Sequence, residues 1–153
     1  MKKAILCTIT LVGLALLTGA KEHPCCATEK AQYDAAEKAI LDVHNQVIAA
    51  AEKLDAETMF SYILSNDKGA IIQDGQLLTR QESLNQVKMA FAGTESLKYN
   101  FKQQNIKMLS PTIALLTATG TVTSTMSSQT FTSSFANTTV FILQDNEWKI
   151  IHG

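Results

Sequence analysis

The sequence is short of cysteine, proline and basic charge, and it has no apolar run long enough to span a membrane. Its 153 residues include 3 cysteines and 2 prolines. A disulfide framework is excluded, because Cys7 lies in the predicted leader described below and leaves only the neighbours Cys25 and Cys26. Lysine and arginine number 13 against 14 acidic residues, which is no basic excess for holding phosphates. We expect no nucleic-acid partner.

The first twenty residues are predicted to be a removable signal peptide. Lys2 and Lys3 precede an apolar run, Ala4 to Leu17, and small residues end at Ala20, which are the three parts of a secretory signal. This run is shorter than the roughly 20 apolar residues that cross a bilayer, so no stable membrane anchor is expected. Cleavage after Ala20 is favoured over cleavage after Ala27. We therefore expect an exported bacterial protein, either periplasmic or secreted.

One domain is expected after the leader, with residues 21–28 as a disordered tail and residues 29–153 as the folded unit. The chain after Ala20 keeps 11 basic and 14 acidic residues, a net charge of −3. Cys25 and Cys26, beside His23, could bind a soft metal or form an intermolecular disulfide. A plain tail is favoured, because metal sites normally draw their ligands from separated segments. No metal site and no cofactor are expected.

The first half of the domain has the patterns of three helices. Apolar residues recur at spacings of three and four from Thr28 to about Leu54, and Asp55 is placed to cap a second, short helix. Asp74-Gly75 between short apolar runs predicts a hairpin. Thr79-Arg80-Gln81-Glu82 then forms a capping box for a third helix that ends at Gly93.

The second half alternates with the period of β-strands. Strands are predicted from Leu97 to Met108, Ile113 to Thr125, Gln129 to Leu143 and Trp148 to His152, with a β-bulge near Gln103 to Asn105. Short turns between them indicate an antiparallel meander. The fold class is therefore α+β, with three N-terminal helices packed on one face of a strongly bent antiparallel sheet.

Three stretches, in this order, resemble the nuclear transport factor 2-like superfamily. They are residues 51–57 (AEKLDAE), 73–82 (QDGQLLTRQE) and 148–152 (WKIIH). The chain looks closest to the SnoaL-like and uncharacterised bacterial branches, as a secreted member. The resemblance implies a cone-shaped barrel with a hydrophobic pocket between helices and sheet, often in a homodimer. It implies no single activity.

The resemblance allows one enzymatic mechanism to be checked residue by residue. Ketosteroid isomerase, a member of this superfamily, needs a carboxylate base, a helix tyrosine and a protonated strand aspartate. The base position falls at Asp74, but the other two fall at Val47 and Thr139. Because two donors of the oxyanion hole are missing, this chemistry is disfavoured. Asp74 also has a sufficient structural role in its turn.

Two residues are the candidate general bases, Asp74 and His44. His44 lies beside the apolar stripe of the first helix, so it either faces a pocket or lies on the helix surface, which the pattern favours. Tyr62 and Tyr99 are candidate donors, while a frayed chain end weakens any role for His152. The predicted ligand pocket consists of Val47, Met59, Tyr62, Tyr99, Phe101, Trp148 and His152.

Three functions are compatible with these residues. The first is the binding of a small apolar ligand in the pocket, because few acids and bases converge there. The second is an isomerase, lyase or cyclase that uses Asp74 or His44 as its base. The third is a homodimeric interaction module that pairs through the outer sheet face, with its threonine rows and Phe131 or Phe135.

Overall fold

The computed structural model describes residues 24–65, 71–73 and 75–153, with side chains from residue 30 onward. The predicted signal peptide, its cleavage point and Asp74 lie outside the described residues. Helix α1 is Pro24–Glu52, α2 is Ala56–Ser61 and α3 is Arg80–Ala92. The strands are β1 Ile71–Gln73, β2 Gln76–Leu78, β3 Ser96–Ser110, β4 Ile113–Met126, β5 Gln129–Gln144 and β6 Glu147–His152.

Helix α1 begins earlier than predicted. It includes residues 24–28, most of the segment assigned to the tail. Proline is favoured in the first turn of a helix, where its missing N–H has no helical partner, and Pro24 occupies that position here. The helix itself therefore extends upstream of Thr28, where the predicted helical pattern began.

A tight reversal joins α1 to α2. The N–H of Leu54 donates to Ala51 O and that of Asp55 to Ala50 O, which satisfies the last carbonyls of α1. Leu54 adopts a φ of 59° there, a region that usually takes glycine. Asp55 also caps α2, since its carboxylate accepts from Thr58 N at 3.0 Å. One residue thus ends the first helix and starts the second, as the sequence predicted.

The hairpin and third helix form where the sequence places them. β1 and β2 pair antiparallel, and Gly75 has a φ of 76° in their turn. Thr79 and Glu82 form the predicted capping box of α3. Arg80 holds α2 against α3, because its guanidinium donates to the carbonyls of Phe60 and Ile63 at 2.7 to 3.2 Å.

The large sheet is the predicted antiparallel meander, in the order β3-β4-β5-β6. Its two tight turns, Ser127-Ser128 and Asp145-Asn146, have positive φ angles at both residues, which matches the right-handed strand twist. Residues 62–64 add to the free edge of β6, where Ile63 bridges Ile150 in parallel. The chain end is also held, since Ile72 N donates to Gly153 O at 2.7 Å, so the expectation of a frayed end is wrong.

The register divides the sheet into two faces. The face that packs against α1, called the inner face below, carries the core side chains Ala114, Leu116, Ala118, Phe141, Trp148 and Ile150. The outer face carries rows of threonine on β4 and β5, and Thr123 and Thr132 hydrogen-bond across them at 3.0 Å. Strand pairing places Phe131 and Phe135 on the inner face, opposite Ser124 and Gly120. Their predicted place on the outer face is therefore wrong.

Candidate functional site

A buried histidine of α1 packs against the inner face of the sheet. His44 is 3% exposed, because α1 presents it, with Ile40 and Val47, toward the sheet rather than to solvent. Its Nε2 is the one buried side-chain nitrogen or oxygen without a hydrogen-bond partner among the described residues. The imidazole contacts Phe101 edge-on, with ring centres 5.3 Å apart. The surface position favoured by the sequence pattern is thus wrong.

Burial also sets the charge of this histidine. Desolvation lowers the pKa of His44 below its usual value of 6.5, since a charged imidazole loses its hydration inside the protein. A carboxylate hydrogen-bonded to the imidazole would favour its charged form, but none among the described residues makes such a bond. His44 is therefore neutral near pH 7 and presents one unpaired nitrogen.

Three aromatic rings, called here the aromatic cluster, pack beside His44. Tyr99 and Phe101 stack on β3 at 6.1 Å, and Phe135 of β5 meets both edge-on at 5.8 and 5.6 Å. Gly120 of β4 pairs with both phenylalanines, and because it has no side chain their rings meet above it. All three residues are half-buried, and Phe101 and Phe135 pack against the core, so the cluster lies at the edge of the core with part of its surface exposed.

A β-bulge explains how β3 reaches this geometry. The register shifts between Phe101 and Gln103, which places the extra residue at Lys102, slightly before the predicted position. A Cβ on Gly120 would lie 2.2 Å from Asn100 O, far closer than atoms can pack. The close approach of β3 to β4 at the bulge therefore requires glycine at this position.

An ion pair fixes one edge of the cluster. Glu52 at the end of α1 accepts hydrogen bonds from Tyr99 N at 2.8 Å and from Lys98 Nζ at 2.9 Å. These bonds, that of the Tyr99 amide first, lower the pKa of Glu52. Burial, with a smaller effect of the Glu52 charge, raises the pKa of the Tyr99 hydroxyl. Both groups keep fixed charge states near neutral pH.

The remaining residues of the predicted pocket lie in the core between helices and sheet. Val47 and Trp148 are each 7% exposed, and Met59 and Tyr62 pack against them. The Tyr62 hydroxyl donates to Gln46 Oε1 at 2.6 Å. His152 is half-buried at the end of β6. The structure brings Tyr99, Phe101 and His44 into contact, whereas the others fill the adjoining core.

Three depressions in the described part of the surface are large enough to consider, and His44 lines none of them. The largest of the three, about 670 Å³, lies beside the bulge of β3 and reaches Gly120 and Phe135 at the aromatic cluster. It is lined by Asn100, Lys102, Gln103, Thr119, Gly120, Thr121, Ser134 and Phe135. The other two border α1 and the α2–α3 contact. Contact between a bound molecule and His44 therefore requires side chains to move.

Two positions of the site were predicted to lack oxyanion-hole donors. Val47 and Thr139, the positions to which the resemblance assigned the oxyanion-hole tyrosine and aspartate, are both buried at 7% exposure. Neither can supply a strong donor.

Among the described residues no group of three or more potential metal ligands comes together. No described helix is long and apolar enough to cross a membrane.

Sequence reasoning missed two parts of this site. The prediction put Phe135 on the outer face. Its correct face could have been read from its spacing to Phe131 and its distance from the Ser127-Ser128 turn. Gly120 gave no signal beyond a single glycine inside a strand, which often marks a close backbone approach. Pairing between strands, which is not read from one strand alone, brings both to Phe101, the ring that contacts His44.

The family model of the SnoaL-like domain matches residues 40–153, and solved structures share the fold. A putative dehydratase of the NTF2-like family from Streptomyces avermitilis is 20% identical, with a TM-score of 0.70 over 78% of this chain and 93% of that one. An NTF-2 like protein of unknown function from Shewanella oneidensis is 22% identical, covering 76% and 95% with a TM-score of 0.58. The association domain of C. elegans CaMKII is 14% identical, covering 78% and 93% with a TM-score of 0.64. No curated protein matches the sequence.

Proposed function

This chain belongs to the SnoaL-like domain family, and we propose that it binds a small, largely apolar molecule at the aromatic cluster of its inner face. The observation that carries this proposal is the pairing of three half-buried rings with a buried, unpartnered His44 nitrogen. Binding sites for small molecules are mostly apolar, with few polar groups that fix orientation. The cluster has this composition.

A neutral fluorescent dye tests the proposal directly. N-phenylnaphthylamine should bind the protein saturably, with enhanced fluorescence. The double variant Phe101→Leu, Phe135→Leu should weaken binding about tenfold, since aromatic contacts contribute about 1 kcal/mol beyond area burial. Leu77→Ser is the matched control, because Leu77 is 70% exposed on the hairpin and its loss should leave dye binding unchanged.

Two results would contradict this function. One is the absence of saturable dye binding to a protein that is folded by circular dichroism. The other is equal loss of binding in the Leu77 control, which would indicate adhesion to exposed apolar surface. The leucine substitutions keep the side chains apolar, so the sheet should remain folded.

Catalysis by His44 is a second candidate, because a neutral, buried imidazole is a competent general base. The relatives include a putative dehydratase and a hexachlorocyclohexane dehydrochlorinase. A base must abstract a proton from a bound molecule, so this function depends on the same cluster. His44→Gln should then retain dye binding but abolish turnover of any compound the protein converts, whereas unchanged turnover would exclude His44 as the base.

A homodimer through the outer face is the third proposal. That face carries the threonine rows together with half-buried Leu115, Ile142 and Ile151, and two of the similar structures are association domains. Sedimentation at micromolar concentration should give a dimer that Ile142→Lys converts to monomer. A monomeric wild-type protein would refute this assembly. Export by the signal peptide is likewise our proposal.

A further inference from the structure

We propose that the molecule bound at the aromatic cluster is uncharged and carries a hydroxyl group that pairs with Nε2 of His44. This inference rests on the proposed function, and it adds the chemical class of the ligand. Its basis is Nε2 of His44, which has no hydrogen-bond partner among the described residues.

The orphan nitrogen calls for a hydrogen bond. Buried polar atoms in proteins are nearly always paired, because an unpaired one loses its bonds to water without replacement. Nε2 of His44 is the described exception in this chain. A hydroxyl group both donates and accepts, so it pairs with Nε2 in either neutral tautomer of the imidazole.

The charges around the cluster favour a neutral molecule. Titratable groups next to the rings are Glu52 of α1, which binds Lys98 and the Tyr99 amide, and Lys102 of β3, which adjoins Phe101 in sequence and lines a depression with Phe135. Tyr62 after α2 and His152 of β6 are half-buried in the adjoining core. Glu52 pairs with Lys98, whose side chain is 76% exposed, and no described cation hydrogen-bonds to Nε2 of His44, so an anion at that nitrogen would lack a paired cation. A negative ligand would lose its hydration beside Glu52 without a compensating charge.

The rings define the rest of the ligand. Their open side accepts a flat apolar body, while Phe101, in edge contact with the imidazole, must turn aside for the hydroxyl to reach Nε2. Phe101 is half-buried rather than fully enclosed, so its ring has exposed surface toward which it can turn. Burial lowers the pKa of His44, which keeps Nε2 neutral for this bond.

Three matched probes test the inference: naphthalene, naphthol and naphthoate share one ring system and differ in a single group. At about pH 7.5, naphthol should bind the wild-type protein about tenfold more tightly than naphthalene, which is the worth of one hydrogen bond. Naphthoate should bind most weakly. In His44→Leu, naphthol should lose its advantage while naphthalene binding remains.

A second variant protects the test against misfolding. His44→Gln keeps a hydrogen-bonding group and should retain part of the preference for naphthol. Equal binding of naphthol and naphthalene, tightest binding of naphthoate, or a naphthol preference that survives in His44→Leu would each overturn the inference while leaving the proposed function intact. Failure of all three probes to bind would contradict the proposed function as well.

Discussion

The burial of His44 makes the stability of this protein depend on pH in a range where few other groups titrate. In the unfolded chain its pKa is about 6.5, whereas desolvation lowers it in the fold. Below pH 6.5 the unfolded chain takes up a proton that the folded protein resists. Stability is therefore complete above about pH 6.5 and falls as the pH drops toward the lower folded pKa.

The size of the effect follows from linkage. One proton bound only by the unfolded chain changes the free energy of unfolding by about 1.4 kcal/mol per pH unit. Between about pH 7.5 and about pH 5.5 the loss is at most about 1.4 kcal/mol, reached if His44 stays neutral throughout. Glu52 and Asp55, whose pKa values are lowered in the fold by hydrogen bonds, reduce stability only below about pH 4.5, outside this window.

Urea unfolding followed by fluorescence of the single tryptophan, Trp148, measures this difference. The wild-type protein should lose stability between the two pH values, and His44→Leu should lose much less. His152→Gln is the control for the other described histidine. If His44→Leu kept the same pH dependence as the wild type, the burial argument would be refuted.

Three further predictions concern the frame around the site. Arg80→Met should cost about 2 to 4 kcal/mol of stability, because it removes charged hydrogen bonds to two carbonyls. Lys88→Met, which removes an exposed ion pair, should cost less than about 1 kcal/mol. Chemical denaturation compares the two variants, and equal losses of stability would contradict this prediction. Gly120→Ala should cost about 3 kcal/mol because its Cβ meets Asn100 O, while Gly93→Ala, with its nearest contact at 3.9 Å, should be nearly neutral by the same measurement. Deleting residues 2–20 should retain the protein in the cytoplasm of an expressing bacterium, and export of the shortened chain would refute the signal peptide.

Most of the fold was accessible from the sequence because its signals are local. The roles of Asp55 and of Thr79 with Glu82 depend on residues three positions apart, and the structure has both caps. The bulge was placed slightly late for a physical reason. Polar Gln104 takes an inner-face position opposite Ala118, so the change of parity becomes visible in the pattern only at Ile106.

The site was less accessible because it depends on contacts between distant segments. His44 borders the apolar stripe of α1, and its pattern does not distinguish a helix surface from a covered face. Its burial is decided by Phe101, more than fifty residues later, and by the path of α1 along β3, which Glu52 fixes by binding the Tyr99 amide. The leucine at 54 gave no sign of its positive φ angle, because the hydrogen bonds that hold this turn are made by backbone groups.

The proposed function rests on the fold and on the unpaired histidine together. A domain of this family can fill its interior with apolar side chains, and here Val47 and Trp148 do so over much of the inner face. A chain selected only for a filled core would gain stability from leucine at position 44, since that change removes an unpaired buried nitrogen. His44→Leu is therefore expected to be at least as stable as the wild type at neutral pH, and a large loss of stability would mean that the histidine has a structural partner after all.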